Sequence, residues 1–323
     1  MDEVFDLDRR GTDPDEGGRL PNLLIAGVPK AGTSSLFRYL EQHPDICAAS
    51  AKEIRYFKPL QEDRRLESLD SYRRWFAHCC GQRYAMEATP MYSYGGRRIV
   101  TAIRDTLDNP RIAISLREPV DRLWSAYTFQ RTKGHLKEVP SFEAYLAICE
   151  RKYREPDIGF HFRGIEISLY GDYLADWFAI FGDNVKVVFT DHLFRNPKAT
   201  VVELCRWLGV DHEIADSFDY GVRNKTAHAK SIAFSRKARS LKRAGDRVLR
   251  RYPPLAETLR KAYVRINTGQ LEEKLTEDTR RRLEERFRES NAAVARLLRS
   301  RGYESLPAWL TSAATADRLS SAT

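Results

Sequence analysis

Gly27 and Gly32 bracket four residues, Val28-Pro29-Lys30-Ala31, and Thr33, Ser34 and Ser35 follow directly. Residues of these types at this spacing suit the binding of an anion. A glycine loop leading from a strand into a helix points backbone N–H groups at a ligand, and the positive end of the helix dipole adds to the attraction. Lys30 supplies a full charge, and the hydroxyls of Thr33, Ser34 and Ser35 supply donors. A plain strand-to-helix turn also needs small residues, but Lys-x-Gly-Thr-Ser-Ser after an apolar strand favours the anion. The glycine spacing is that of a Walker A loop. A nucleotide hydrolase or kinase of that kind needs Lys at 33 and Ser or Thr at 34. Here Thr occupies 33 and the lysine is displaced to 30. With no evident Walker B aspartate, magnesium-dependent γ-phosphoryl transfer is disfavoured.

The elements that must position this loop are legible in the apolar pattern. Leu23 to Val28 is a short continuous apolar run, expected for a buried parallel strand. Ser34 to Gln42 carries Leu36, Tyr39 and Leu40 at helical spacing and stops at His43-Pro44. Arg111 to Leu116 reads as a second buried strand. It runs into Arg117-Glu118-Pro119, where Pro119 suits the first turn of a helix reaching about Thr132. Ser168 to Phe181 is helical in pattern, Val185 to Phe189 is a third strand, and Pro197 to Leu208 is a helix closed by Gly209. Strands alternating with helices predict an α/β fold, a P-loop-like three-layer α/β/α arrangement around a central parallel sheet. Beyond Asp211 no strand is expected. Ser231 to Arg250 and Glu273 to Arg301 read as charged helices of a helical C-terminal part. The expected organisation is a flexible leader over 1–20, one domain over 21–310 and a disordered tail over 311–323.

Composition narrows the function classes. The 323 residues carry 42% hydrophobic and 31% charged side chains, an ordinary globular balance. No apolar run is long enough for a transmembrane helix. The N-terminal stretch lacks the basic and apolar regions of a signal peptide. Cys47, Cys79, Cys80, Cys149 and Cys205 are odd in number and contain no C-x-x-C pair, so neither a metal site nor a disulfide framework is expected, and a cytoplasmic location fits. The net charge of +9 sits entirely within 231–265, where eleven Lys/Arg face two Asp/Glu. Such a segment is either a solvated helical face or a contact for a membrane surface or an anionic acceptor. No aromatic-interleaved surface accompanies it, so no nucleic-acid partner is expected.

Pro29-Lys30-Ala31-Gly32-Thr33-Ser34-Ser35-Leu36 resembles the 5'-phosphosulfate loop of sulfotransferases that use 3'-phosphoadenosine-5'-phosphosulfate (PAPS). The run from Ile114 to Tyr127 resembles the second motif of that family, a strand followed by Arg, Pro and a helical Ser. The resemblance implies that Arg117 and Ser125 hold the 3'-phosphate of the donor. It also implies that Lys30, Ala31, Gly32, Thr33, Ser34 and Ser35 cradle the phosphosulfate, with PAPS as co-substrate, 3',5'-ADP as product and no metal required. Tyr84-Ala85-Met86-Glu87-Ala88-Thr89-Pro90-Met91-Tyr92 is similar to a Glu-containing segment of the heparan-sulfate branch, which implies Glu87 as general base and Lys30 as the catalytic cation. Lys52-Glu53-Ile54-Arg55-Tyr56-Phe57 resembles that branch's Lys-Glu-x-His-Phe-Phe segment, which implies that Lys52, Glu53, Arg55 and Tyr92 meet the substrate. Lys225 falls where the family closes a loop over the adenosine phosphates.

Two residues depart from the pattern. Ala88 replaces a lysine and Arg55 replaces a histidine, both on the acceptor side. His161 and His228 remain reserve bases. The expected acceptor is a hydroxyl or amine of a saccharide, glycolipid or small molecule. The alternative is a P-loop-like ATP-dependent kinase acting on a small molecule, with Lys30 standing in for the Walker lysine.

Overall fold

Five strands, β1 (Leu23–Gly27), β2 (Ile46–Ala48), β3 (Tyr84–Ala88), β4 (Arg111–Leu116) and β5 (Val185–Phe189), align in the order β2-β3-β1-β4-β5. All four pairings are parallel. This computed structural model describes residues 18–153, 155, 159–221, 228–229, 268–269 and 273–312. Lys225 and the basic segment 231–265 lie outside them. β1 is buried at every residue, as its apolar run requires of a central strand covered on both faces. One face packs against the Gly96–Thr106 and Leu174–Phe181 helices and the Val294, Ala295 and Leu298 side of the Glu277–Ser300 helix. The other packs against the Thr33–Leu40 and Pro197–Leu208 helices. The result is three layers, α/β/α.

The topology dictates where a ligand can sit. From β1 the chain goes first to the edge strand β2 and returns to β3 beside β1, then crosses to β4 and β5 on the opposite side. Because every strand is parallel, the segments after β1, β2, β3 and β4 all leave from one edge of the sheet. In open α/β sheets the crevice outside the carboxyl ends, at the reversal of strand order, is the ligand site.

The chain divides into two compact units. One comprises Met1–Arg122, Ile167–Gly221 and Glu284–Thr323 and contains the five-stranded sheet; the other comprises Leu123–Glu166 and Val222–Leu283. In the second unit Trp124, Tyr127, Phe142 and Tyr145 form an aromatic cluster. Glu273 accepts from the Tyr127 hydroxyl at 2.6 Å and from the Arg131 guanidinium at 2.7 Å. A two-residue antiparallel pair, β6 (His228–Ala229) and β7 (Thr268–Gly269), also lies there, where no strand was expected. Among the described residues no helix is long and apolar enough to cross a membrane.

Cys47 and Cys79 form a disulfide, against the expectation of none. Cys47 lies in β2, and Cys79 follows the Arg74–Phe76 turn, which the Trp75 carbonyl ties to the amide of Ser50 at 3.0 Å. Tertiary packing therefore brings together two thiols 32 residues apart. The cysteine argument for a reducing compartment falls with this pairing. Closing a loop of that length stabilises by about 3–4 kcal/mol in the chain-entropy account. Reduction, or Cys47→Ser with Cys79→Ser, is expected to lower Tm by roughly 5–10 °C in a scanning-fluorimetry melt. Thiol titration of the unreduced, denatured chain is expected to count three groups, Cys80, Cys149 and Cys205.

Candidate active site

The loop after β1 forms the anion cradle. Lys30 and Gly32 both adopt left-handed backbone, with φ of 73° and 81°. Gly32 is required twice over: its φ favours glycine, and a Cβ there would lie 3.1 Å from Leu193. It precedes the Thr33–Leu40 helix, whose start has no side-chain cap and no acidic residue in its first turn. The positive end of that helix is thus left for a ligand. Thr33 is buried, Ser34 and Ser35 are half-buried, and Ser35 also hydrogen-bonds the Tyr39 side chain. The Thr190 hydroxyl fastens the loop to the sheet through the carbonyls of Ala31 at 3.1 Å and Leu116 at 2.8 Å.

Cations gather behind the cradle. Burial pushes the Lys30 ammonium down to about 8, and Arg117 and Arg122 push in the same direction, while Glu53 opposes them. Arg117 follows β4. Its guanidinium faces the Lys30 carbonyl at 3.5 Å, and its own carbonyl accepts from the Tyr170 hydroxyl at 2.7 Å. Glu118 caps the Pro119–Lys133 helix by accepting from the amides of Val120 and Asp121 at 2.9 and 2.7 Å. Arg122 is fully buried, with Nε donating to the Ser168 hydroxyl at 2.8 Å. Sequence reading missed it as a site residue. The available signal was a second arginine one turn beyond Arg117, on the helix that the motif specifies. Ser125 lies on the same helix, within the second unit.

The two acidic motifs part company in space. Glu87 is wholly buried at the end of β3. One of its oxygens accepts from the hydroxyls of Thr89 at 2.6 Å and Tyr92 at 3.0 Å, and the other accepts from the hydroxyl of Tyr72. Burial pushes its pKa up, and these donors act against that. Tyr92, expected to meet substrate, is likewise buried. The Glu87 carboxylate thus receives three hydroxyl donors near the carboxyl edge of the sheet.

Glu53 is the accessible carboxylate, with 39% of its side chain exposed. It pairs with Lys52 at 3.2 Å and with Arg55 at 2.9 Å. Burial alone would raise its pKa, but these two cations outweigh it and hold the carboxyl below its ordinary 4.5. It is also close enough to Lys30 to act on that ammonium. Lys52, Glu53 and Arg55 therefore form one ion-paired group whose acid acts on the cradle's lysine. His161 hydrogen-bonds Gln130 at 3.0 Å and packs on His135 within the second unit. The side chain of His228 is outside the described residues.

An anion-binding helix end, buried cations and an exposed carboxylate, on the carboxyl edge of a parallel sheet, suit transfer of an anionic group to a nucleophile that must lose a proton. Comparison with known proteins agrees. Residues 20–290 match the Sulfotransferase domain family. Heparan sulfate glucosamine 3-O-sulfotransferase 3A1 of Mus musculus is 29% identical over 209 residues, covering 64% of this chain and 50% of that protein. Membrane-associated sulfotransferase kil1 of Dictyostelium discoideum is 34% identical over 110 residues, covering 34% of this chain and 23% of its own length. The chain thus spans about half the length, or less, of these curated relatives. The crystal structure of a sulfotransferase from Alicyclobacillus acidocaldarius superposes with a TM-score of 0.62 at 24% identity, covering 90% of this chain and 99% of that one, and shares the fold. The chain belongs to the sulfotransferase domain family.

Proposed function

We propose that this protein transfers the sulfuryl group of PAPS to a hydroxyl or amine of a saccharide or small-molecule acceptor and releases 3',5'-ADP. The observation that carries this reading is the coupling of Lys30 to Glu53, a buried cation and an exposed carboxylate, beside an uncapped helix start in a chain of this family. In the reaction an acceptor oxygen or nitrogen forms a bond to sulfur while the bond from sulfur to the bridging phosphate oxygen breaks. Glu87, the carboxylate of the Glu-containing segment, takes the acceptor's proton, and the Lys30 ammonium meets the negative charge that develops on the bridging oxygen. Arg117 holds the 3'-phosphate, and Thr33, Ser34 and Ser35 hold the 5' end.

Support for a saccharide acceptor comes from the relatives named as heparan sulfate glucosamine 3-O-sulfotransferases. Ala88 and Arg55, which break the pattern of that branch, bear on which saccharide it is. Incubation with labelled PAPS, heparan sulfate and a panel of cell extracts, followed by mass spectrometry of the product, tests the activity. Transfer of label is expected. Thermal stabilisation by ADP with Mg²⁺ but not by 3',5'-ADP would instead support phosphoryl transfer.

Arg117→Ala is expected to weaken 3',5'-ADP binding by roughly 10- to 100-fold, the range for a charged hydrogen bond to phosphate. Titration of 3',5'-ADP against 5'-AMP checks it. The variant should lose the preference for the doubly phosphorylated nucleotide, and equal losses for both would contradict the role.

A further inference from the structure

We propose that the Cys47–Cys79 disulfide is a reversible redox latch on the acceptor side of the site, opened by a dithiol reductant and closed by reoxidation. This rests on the reading of Glu87 as base and of Lys52, Glu53 and Arg55 as acceptor contacts. The loop that the disulfide closes runs from β2 to just beyond the Arg74–Phe76 turn. It contains Lys52, Glu53 and Arg55, and also Tyr72, whose hydroxyl donates to Glu87. The donor cradle over 27–35, Arg117 and Arg122 all lie outside it. A change at the disulfide therefore addresses one half of the site.

The two arms of the loop meet in a clamp beside the disulfide. The Ser50 amide donates to the Trp75 carbonyl at 3.0 Å, and Nε2 of His78 donates to the Ala48 carbonyl at 3.0 Å. Lys52 follows two residues beyond Ser50, and Tyr72 precedes Trp75 by about one turn of helix. The clamp thus fixes both the start of the Lys52–Arg55 group and the approach of Tyr72 to Glu87. Residues 61–65 and 67–70, at the far end of the loop, are exposed. Glu53 and Arg55 hold left-handed backbone, with φ of 64° and 62°, which persists only where the surroundings impose it.

The bond is accessible to exchange. Cys79 is half-buried, and His78 and Cys80 on either side of it are exposed. A thiolate of the reductant attacks the Cys79 sulfur and forms a mixed disulfide, while Cys47 leaves as a thiolate and takes a proton from water. The second thiolate of the reductant then attacks its own sulfur in the mixed disulfide, and Cys79 leaves. The protein gains two thiols and the reductant becomes a disulfide. Sγ of Cys79 lies 4.0 Å from Nε2 of His78, whose N–H stabilises the departing thiolate. In turning to that thiolate the imidazole leaves the Ala48 carbonyl, so reduction removes two ties of the clamp together.

Alkylation of the native protein after dithiothreitol, mapped by mass spectrometry, tests the exchange step. Cys47 and Cys79 should both become labelled without denaturant, while the buried Cys149 and Cys205 stay unlabelled. In the reduced protein, peptides 49–57 and 69–77 should exchange their amide hydrogens about tenfold faster or more, with β1 and β4 unchanged. Oxidised glutathione should restore both readouts. Affinity for 3',5'-ADP should be the same in the two forms. Release of 3',5'-ADP from PAPS, with heparan sulfate or water as acceptor, should fall roughly 10- to 100-fold on reduction, as expected when reacting groups are misplaced by about 1 Å. Cys47→Ser with Cys79→Ser should behave as the reduced protein and ignore dithiothreitol, and Cys80→Ser should respond as wild type does. Labelling of the pair only after denaturant would make the disulfide a fixed staple and overturn the proposal. Unchanged exchange in both peptides on reduction, or a matching loss of 3',5'-ADP affinity, would overturn it too. Absence of any transfer by the oxidised protein would instead remove the functional reading, and labelling with hydrogen exchange would still decide the latch.

Discussion

Lys30→Ala is expected to lower turnover by about 10²–10³-fold, the range for removing one group that stabilises charge in a transition state. The loss should fall on kcat more than on affinity for 3',5'-ADP. The bridging oxygen gains its charge only as the bond to sulfur breaks, and Arg117 and the helix start remain to bind the nucleotide. Single-turnover rates with labelled PAPS check it, and near-normal rates would remove Lys30 from the mechanism. The pH dependence follows from the same group. Lys30 works as a cation and is held at about 8 rather than 10.5, mainly by burial. The kcat/KM for PAPS, which reports the free enzyme, should therefore decline as pH rises through about 8.

The stability of the protein carries the opposite signature. Between about 8 and 10.5 the unfolded chain holds a proton on Lys30 that the folded chain has released. Stability contributed by this group thus rises with pH across that window, and below it the buried ammonium is destabilising. Lys30→Ala is accordingly expected to melt higher than wild type at pH 7 while turning over far less, a trade of stability for function. Donor binding should narrow the gap, because an anion beside Lys30, Arg117 and Arg122 offsets their mutual repulsion.

Glu87→Gln is expected to lower turnover by about 10²–10⁴-fold, the range for loss of a general base. Affinity for 3',5'-ADP should be kept. Isothermal titration beside a rate measurement separates the two. A parallel fall in binding and rate would make Glu87 a scaffold residue. Burial holds its carboxyl above the ordinary 4.5, against the pull of its three hydroxyl donors. The acid limb of the wild-type profile should therefore lie above 4.5, and Thr89→Val should move it further up by removing one donor. Glu87→Gln should remove that limb.

The donor side was legible in the sequence because local chemistry specifies it. A buried strand, a glycine loop and the helix that follows it were legible from Leu23 to Gln42 alone. β4 over 111–116, β5 over 185–189 and the Pro197–Leu208 helix with its Gly209 cap match the expected bounds, since apolar runs and glycine stops act over neighbouring residues. Short-range patterns say less about elements that depend on distant partners. β2 has only three residues, and β3 carries a glutamate in its run, so neither presents a clear strand signal. The helical pattern over 168–181 breaks into shorter pieces at Gly171, whose amide bonds Ser290, 119 residues away.

The acceptor side shows the division most sharply. Sequence by itself determined that two glutamates, Glu53 and Glu87, lie in acidic motifs that could serve a sulfuryl transfer, and that Lys30 marks the donor loop. Only the tertiary structure set their surroundings. Glu87 is buried and receives the hydroxyl of Tyr72, which arrives from a five-residue helix with no motif of its own, while Glu53 is partly exposed between Lys52 and Arg55. The Cys47–Cys79 bond has the same origin. Residue type specifies what a group can do, and long-range packing sets which of two identical groups is dry and which is exposed.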